Sequence, residues 1–100
     1  MRQIFRYWLA VGGEPKSFDL TGDPLAVEAH RLGAGPLAPH LVEFWAVHDD
    51  AVPAVSRVFA VVGTGHPLPD GSRWWGTTSR TPEDLVWHLV ELATLSDGTL

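Results

Sequence analysis

The sequence predicts a small antiparallel all-β domain, a barrel or sandwich of six to seven strands, and three observations carry that prediction. Short runs rich in β-branched and aromatic residues recur along the chain. Turn residues such as GGEP, TGDP and DDAVP punctuate these runs at nearly regular spacing. No internal repeat, charge block or low-complexity linker separates them into larger units. The 100 residues make one domain, read over 1–95, with 96–100 as a C-terminal tail. A chain of this size buries only about two thirds of the surface that its unfolded form exposes, so its core must be efficient.

The first expected strand is Gln3 to Val11, where Phe5, Tyr7, Leu9 and Val11 alternate onto one face. Gly12-Gly13-Glu14-Pro15 turns the chain into a short strand from Lys16 to Leu20, with Phe18 and Leu20 inward and Ser17 and Asp19 outward. TGDP then leads to a third strand, Leu25 to Leu32, where Leu25, Val27 and Ala29 alternate against Glu28 and His30. After the loop GAGPLAP come two longer runs, His40 to His48 and Val55 to Val62, read as the central pair. Both carry apolar residues on each face, which predicts cover on both sides, one side serving as a subunit interface. Arg73 to Thr78 reads as a sixth strand, short and kinked by Gly76.

Local signals conflict in the last element. Thr81 as N-cap, Pro82 at the first helical position and two acids in the first turn predict a helix. The following LVWHLV is rich in β-branched and aromatic residues and predicts a strand that closes the sheet. These residues alone leave the two readings balanced.

Composition limits the functions open to the chain. Without cysteine there is neither a disulfide framework nor a thiolate metal site. The five histidines contain no His-x-His or His-x-x-x-His pair, so no metal and no cofactor is expected. A net charge of −5, with acids spread along the chain, leaves no basic stripe for duplex nucleic acid. No cleavage signal or spanning-length apolar segment is present, which predicts a soluble cytosolic protein away from membranes.

The stretch VVGTGHPLPDGSRWWGT, Val61 to Thr77, concentrates the candidate chemistry. Gly63, Thr64 and Gly65 can form a backbone nest for an anion, with the Thr64 hydroxyl and the switchable donor His66 beside it. The P-loop spacing and its lysine are missing, and the same glycines equally suit a strand exit, with Pro67 and Pro69 stiffening the connection to Asp70-Gly71. On a strand Trp74 and Trp75 face opposite ways and Arg73 shares the face of Trp75. An arginine beside an aromatic ring suits a base and its phosphate, and equally suits a packed interface. His88, inside an apolar run, reads either as a buried neutral histidine or as a partner of His66. Thr64, His66, Arg73, Trp75 and His88 are therefore the expected ligand-binding set, converging on one concave site. No catalytic residue is assigned: the serines lack an elbow motif, and His66 with Asp70 offers only a weak hydrolase arrangement.

GTGHPLP, a following GT pair and LVWHLVE together resemble a family of small uncharacterised bacteriophage proteins. Members of that family carry a GTGHP-Ile/Leu-Pro loop, an aromatic-Gly-Thr strand and a terminal Val-aromatic-His-aliphatic strand. The likeness runs from about Phe5 to Glu91. In that family glycines rather than TPED usually precede the terminal segment, so this chain departs from the pattern there. The resemblance favours a terminal strand over Leu85 to Leu92, with Trp87 and His88 on opposite faces. It implies a phage protein working in the host cytoplasm, with no established activity to transfer. The expected function is that of an accessory protein acting by non-catalytic binding. It would counter host defence by sequestering a small anionic, nucleotide-like ligand or by blocking a host protein, and would act as a homo-oligomer. The alternative is a virion or structural assembly component.

Overall fold

Apolar–polar alternation along each run is resolved into two sheets packed face to face, a sandwich rather than a closed barrel. The structure is a computed structural model and describes residues 1–31, 33 and 38–93. The expected tail, 96–100, and the Leu32 end of the expected third strand lie outside the described residues, as does most of the GAGPLAP loop.

The three-stranded sheet places β4 (His40–Asp49) between β1 (Arg2–Ala10) and β3 (Pro24–Arg31). The four-stranded sheet has the order β2 (Lys16–Leu20), β5 (Val55–Gly63), β7 (Trp87–Glu91), β6 (Arg73–Thr77). All pairings are antiparallel. The GGEP turn carries the chain from one sheet to the other, since β1 pairs with β4 and β2 with β5. The expected central pair is corrected in the same way. β4 and β5 do not pair; each is an inner strand of its own sheet. Alternation reveals which face of a strand is apolar but not which strand lies beside it.

One face of each inner strand builds the core. Leu9, Leu20, Val42, Phe44, Phe59 and Leu89 form one buried cluster drawn from both sheets. Phe44 and Phe59 meet across the sheets at 5.1 Å, and Phe18 packs edge-on to Phe44 at 5.3 Å. Each such side chain contributes about 1.5–3 kcal/mol by leaving water. Phe18 and Leu20 point inward as expected, with Leu20 fully buried. Leu25 does not: it is 62 % exposed. A bulge between Pro24 and Ala26 makes Leu25 the extra residue and gives the inward place to Pro24.

The terminal conflict ends in favour of the strand, over Trp87–Glu91. Thr81 still caps, but only one turn. The Asp84 N–H donates to the Thr81 carbonyl at 2.8 Å, and the Leu85 N–H donates to Thr81 Oγ1 at 3.0 Å. Asp84 then adopts φ 68°, a left-handed conformation through which a helix does not continue. The apolar residues beyond it bury more by pairing with β5 and β6, and Leu89 and Val90 are fully buried there. Trp87 packs against the core and His88 faces the other way.

Candidate functional site

The site begins where β5 ends. Gly63, Thr64, Gly65 and His66 form a tight turn closed by the His66 N–H donating to the Gly63 carbonyl at 3.1 Å. Gly65 takes the third position with φ 87°, a conformation that disfavours any side chain. The turn folds Thr64 over the outer face of the four-stranded sheet, where Thr64 Oγ1 lies 2.8 Å from His88 Nε2.

His88 is gripped from its other side as well. In the β6–β7 register Thr77 stands opposite His88, and Thr77 Oγ1 lies 2.8 Å from His88 Nδ1. Trp74, on the same face of β6, donates its indole N–H to Thr77 Oγ1 at 3.1 Å while its side chain remains 60 % exposed. Val62, Leu68 and His66 complete a depression of about 220 Å³ against Thr64, Trp74 and His88. A second depression, of about 410 Å³, lies across the same turn toward Arg80, Asp84 and Trp87. An exposed indole face set beside a hydroxyl and imidazoles can stack on a planar ring and hydrogen-bond its substituents.

Arg73 and Trp75 stand elsewhere. Arg73 pairs with Glu91 in the β6–β7 register, and a bulge between Trp74 and Gly76 makes Trp75 the extra residue. Trp75 packs against the core and donates its indole N–H to Glu91 Oε1 at 2.9 Å, with the Arg73 guanidinium 4.1 Å from its ring centre. Arg57 grips the same carboxylate with two N–H groups, at 2.9 and 2.8 Å, and pairs with Asp23 at 3.0 Å. The Arg57 hydrogen bonds hold the Glu91 carboxyl below the usual carboxylate range despite its burial, and Trp75 adds to the effect. The same bonds to Glu91 raise the Arg57 guanidinium above its usual range. This cluster joins β5, β6 and β7 of the four-stranded sheet and reaches Asp23 in the turn between β2 and β3.

The expected five-residue convergence is therefore corrected. Thr64, His66 and His88 come together on the outer face, whereas Arg73 and Trp75 lie on the opposite face of the β6–β7 ladder. The tryptophans do face opposite ways, but Trp74 is the outward one. Sequence reading missed Trp74 and Thr77 as members of the site. The Gly-Thr pair after the tryptophans was the available signal, because it sets a hydroxyl on the strand that pairs with His88.

Comparison with known families bears on the whole chain. A family model described as a domain of unknown function, DUF7352, matches residues 1–98. The chain belongs to the DUF7352 family. No curated protein and no solved structure matches it. The matched span of this DUF7352 chain contains every residue of the turn, the Trp74–Thr77–His88 network and the Arg57–Glu91 cluster. Among the described residues no three His, Asp or Glu side chains gather as metal ligands. No described helix is long and apolar enough to cross a membrane.

Proposed function

We propose that this DUF7352 protein works by non-catalytic binding and captures a small planar anionic ligand on the outer face of its four-stranded sheet. One observation carries the reading: Trp74 is 60 % exposed, yet its N–H is committed to Thr77. That bond fixes the ring beside Thr64, His66 and His88 and leaves its face free to stack. An imidazole of adjustable charge at His66 and a hydroxyl at Thr64 suit the anionic end of a nucleotide-like molecule. The resemblance to bacteriophage proteins supplies the setting, an accessory protein in the host cytoplasm that sequesters such a ligand or blocks a host protein.

A second reading, as an assembly component, has its own support. Ile4 and Trp8, on the outer face of the three-stranded sheet, are 66 % and 45 % exposed. Trp45 is half-buried on the same face, and Arg6 and Glu43 stand among them. A second copy of the chain, meeting this face about a two-fold axis, would cover the apolar residues and oppose arginine to glutamate.

Native mass spectrometry of protein purified from bacterial cells tests the first reading. The expected result is a retained small molecule that is lost in Trp74→Ala at unchanged melting temperature. A parent protein that retains nothing and binds no nucleotide would contradict it.

A further inference from the structure

We infer that the hydrogen-bond chain Trp74–Thr77–His88–Thr64 runs in one direction and makes the Thr64 hydroxyl a dedicated donor, so that the site holds its ligand by a phosphate oxygen. This inference rests on the binding function proposed above and specifies the chemistry of the group that is bound.

The direction follows from the fixed donor at one end of the chain and from the alignment of the dipoles behind it. The indole of Trp74 can only donate, and it donates to Thr77 Oγ1. The hydroxyl of Thr77 then has one lone pair and one proton left, and its next neighbour is His88 Nδ1 at 2.8 Å. Donating that proton to Nδ1 makes the hydroxyl both an acceptor and a donor in the chain and places the imidazole proton on Nε2. The Nε2–H then donates to Thr64 Oγ1, also at 2.8 Å. Thr64 has become an acceptor, and its own proton is free to turn outward into the depressions that it lines. The opposite arrangement, with Nδ1–H donating to Thr77 and Thr64 donating to Nε2, makes as many hydrogen bonds, but Thr77 then accepts from two donors whose dipoles oppose one another. Aligned hydroxyl and imidazole dipoles also strengthen one another, which favours the one-way chain.

Two consequences separate this chain from its alternative. With its proton on Nε2, His88 cannot take a proton from Thr64, so Thr64 is not activated as a nucleophile. Instead Thr64 is a polarised donor beside the free face of Trp74, matched to the charged oxygens at one end of a nucleotide whose base stacks on the ring. Thr77 acts through His88 and is a positioning residue.

The test uses the full-length protein, with adenosine 5′-monophosphate and adenosine as probes. Long-range ¹H–¹⁵N correlation spectra report which nitrogen of His88 bears the proton. The expected result is Nε2–H in the parent, lost or mixed in Thr77→Val. Trp74→Phe keeps a stacking ring but removes the fixed donor, and it should likewise lose the single tautomer. Both Thr64→Val and Thr77→Val should weaken the monophosphate by about tenfold, the scale of one charge-assisted hydrogen bond. The parent should prefer the monophosphate to adenosine by a similar factor. Nδ1–H in the folded parent would overturn the inference, as would Thr77→Val binding the monophosphate like the parent, or equal affinity for the two probes. A parent with Nε2–H on His88 that binds neither probe would refute the phosphate class together with the binding function and leave the chain's direction standing.

Discussion

At Gly76 a built Cβ would lie 2.6 Å from Val27 Cγ2, closer than a side chain tolerates, so the absent side chain is what lets β6 approach β3. Gly76→Ala should lower stability by about 1–3 kcal/mol, the usual cost of overpacking. Thermal melts check this, and Val27→Ala in the same chain should recover part of the loss by opening the space. Glu91 supports a second prediction at this scale. Its carboxyl is held low in the folded protein chiefly by the Arg57 hydrogen bonds. An unfolded glutamate titrates at about 4.3, so the contribution of Glu91 is complete above that pH and is lost as pH falls through the lower folded value. Glu28 behaves alike: burial raises its carboxyl, but the Ser79 and Ala29 N–H groups and the Ser79 hydroxyl outweigh burial and lower it. Glu91→Gln should cost about 1.5–3 kcal/mol at neutral pH, the range for hydrogen bonds to a charged group. It should also flatten the acid limb of a stability–pH curve measured by denaturant titration.

Among the elements, the segment after Thr81 shows how a local signal is honoured and then overruled. Thr81 and Pro82 start a turn as their chemistry dictates, and Asp84 at φ 68° ends it, because Leu89 and Val90 gain full burial only in the sheet. Thr81→Ala should therefore loosen the loop by about 0.5–2 kcal/mol, the cost of a lost cap, without altering the strand. Hydrogen exchange should show Leu85 less protected while Leu89 is unchanged. Strand positions and inward faces were legible in the sequence wherever alternation ran unbroken, as in β2, where Phe18 and Leu20 point inward. Two bulges break it; the kink expected at Gly76 marks the second, but nothing in the sequence tells which residue is the extra one. One turns Leu25 out, and the other places Trp75 against the core, which carries Arg73 away from Thr64. Half of the site was legible for the same reason. Glycines around Thr64 announce a turn, but Thr77 is one hydroxyl among many until the β6–β7 register sets it opposite His88.

For the whole molecule, the two outer faces differ in kind. The face of the three-stranded sheet offers apolar surface at Ile4 and Trp8, and the face of the four-stranded sheet offers an ordered polar network under an exposed ring. If the first face is covered by a second copy, sedimentation at micromolar concentration should show a dimer in the parent and a monomer in Trp8→Glu. A parent that is monomeric throughout would rule out the dimer. The binding proposal places the ligand on the second face, on Trp74, Thr64, His66 and His88 and not beside Arg73 and Trp75. Amide shifts in ¹H–¹⁵N spectra, recorded while adenosine 5′-monophosphate is titrated into the full-length protein, test it most directly. Saturable shifts centred on Thr64, His66, Thr77 and His88 are expected. Shifts centred on Arg73, Trp75 and Glu91, or no saturable shift at all, would contradict it.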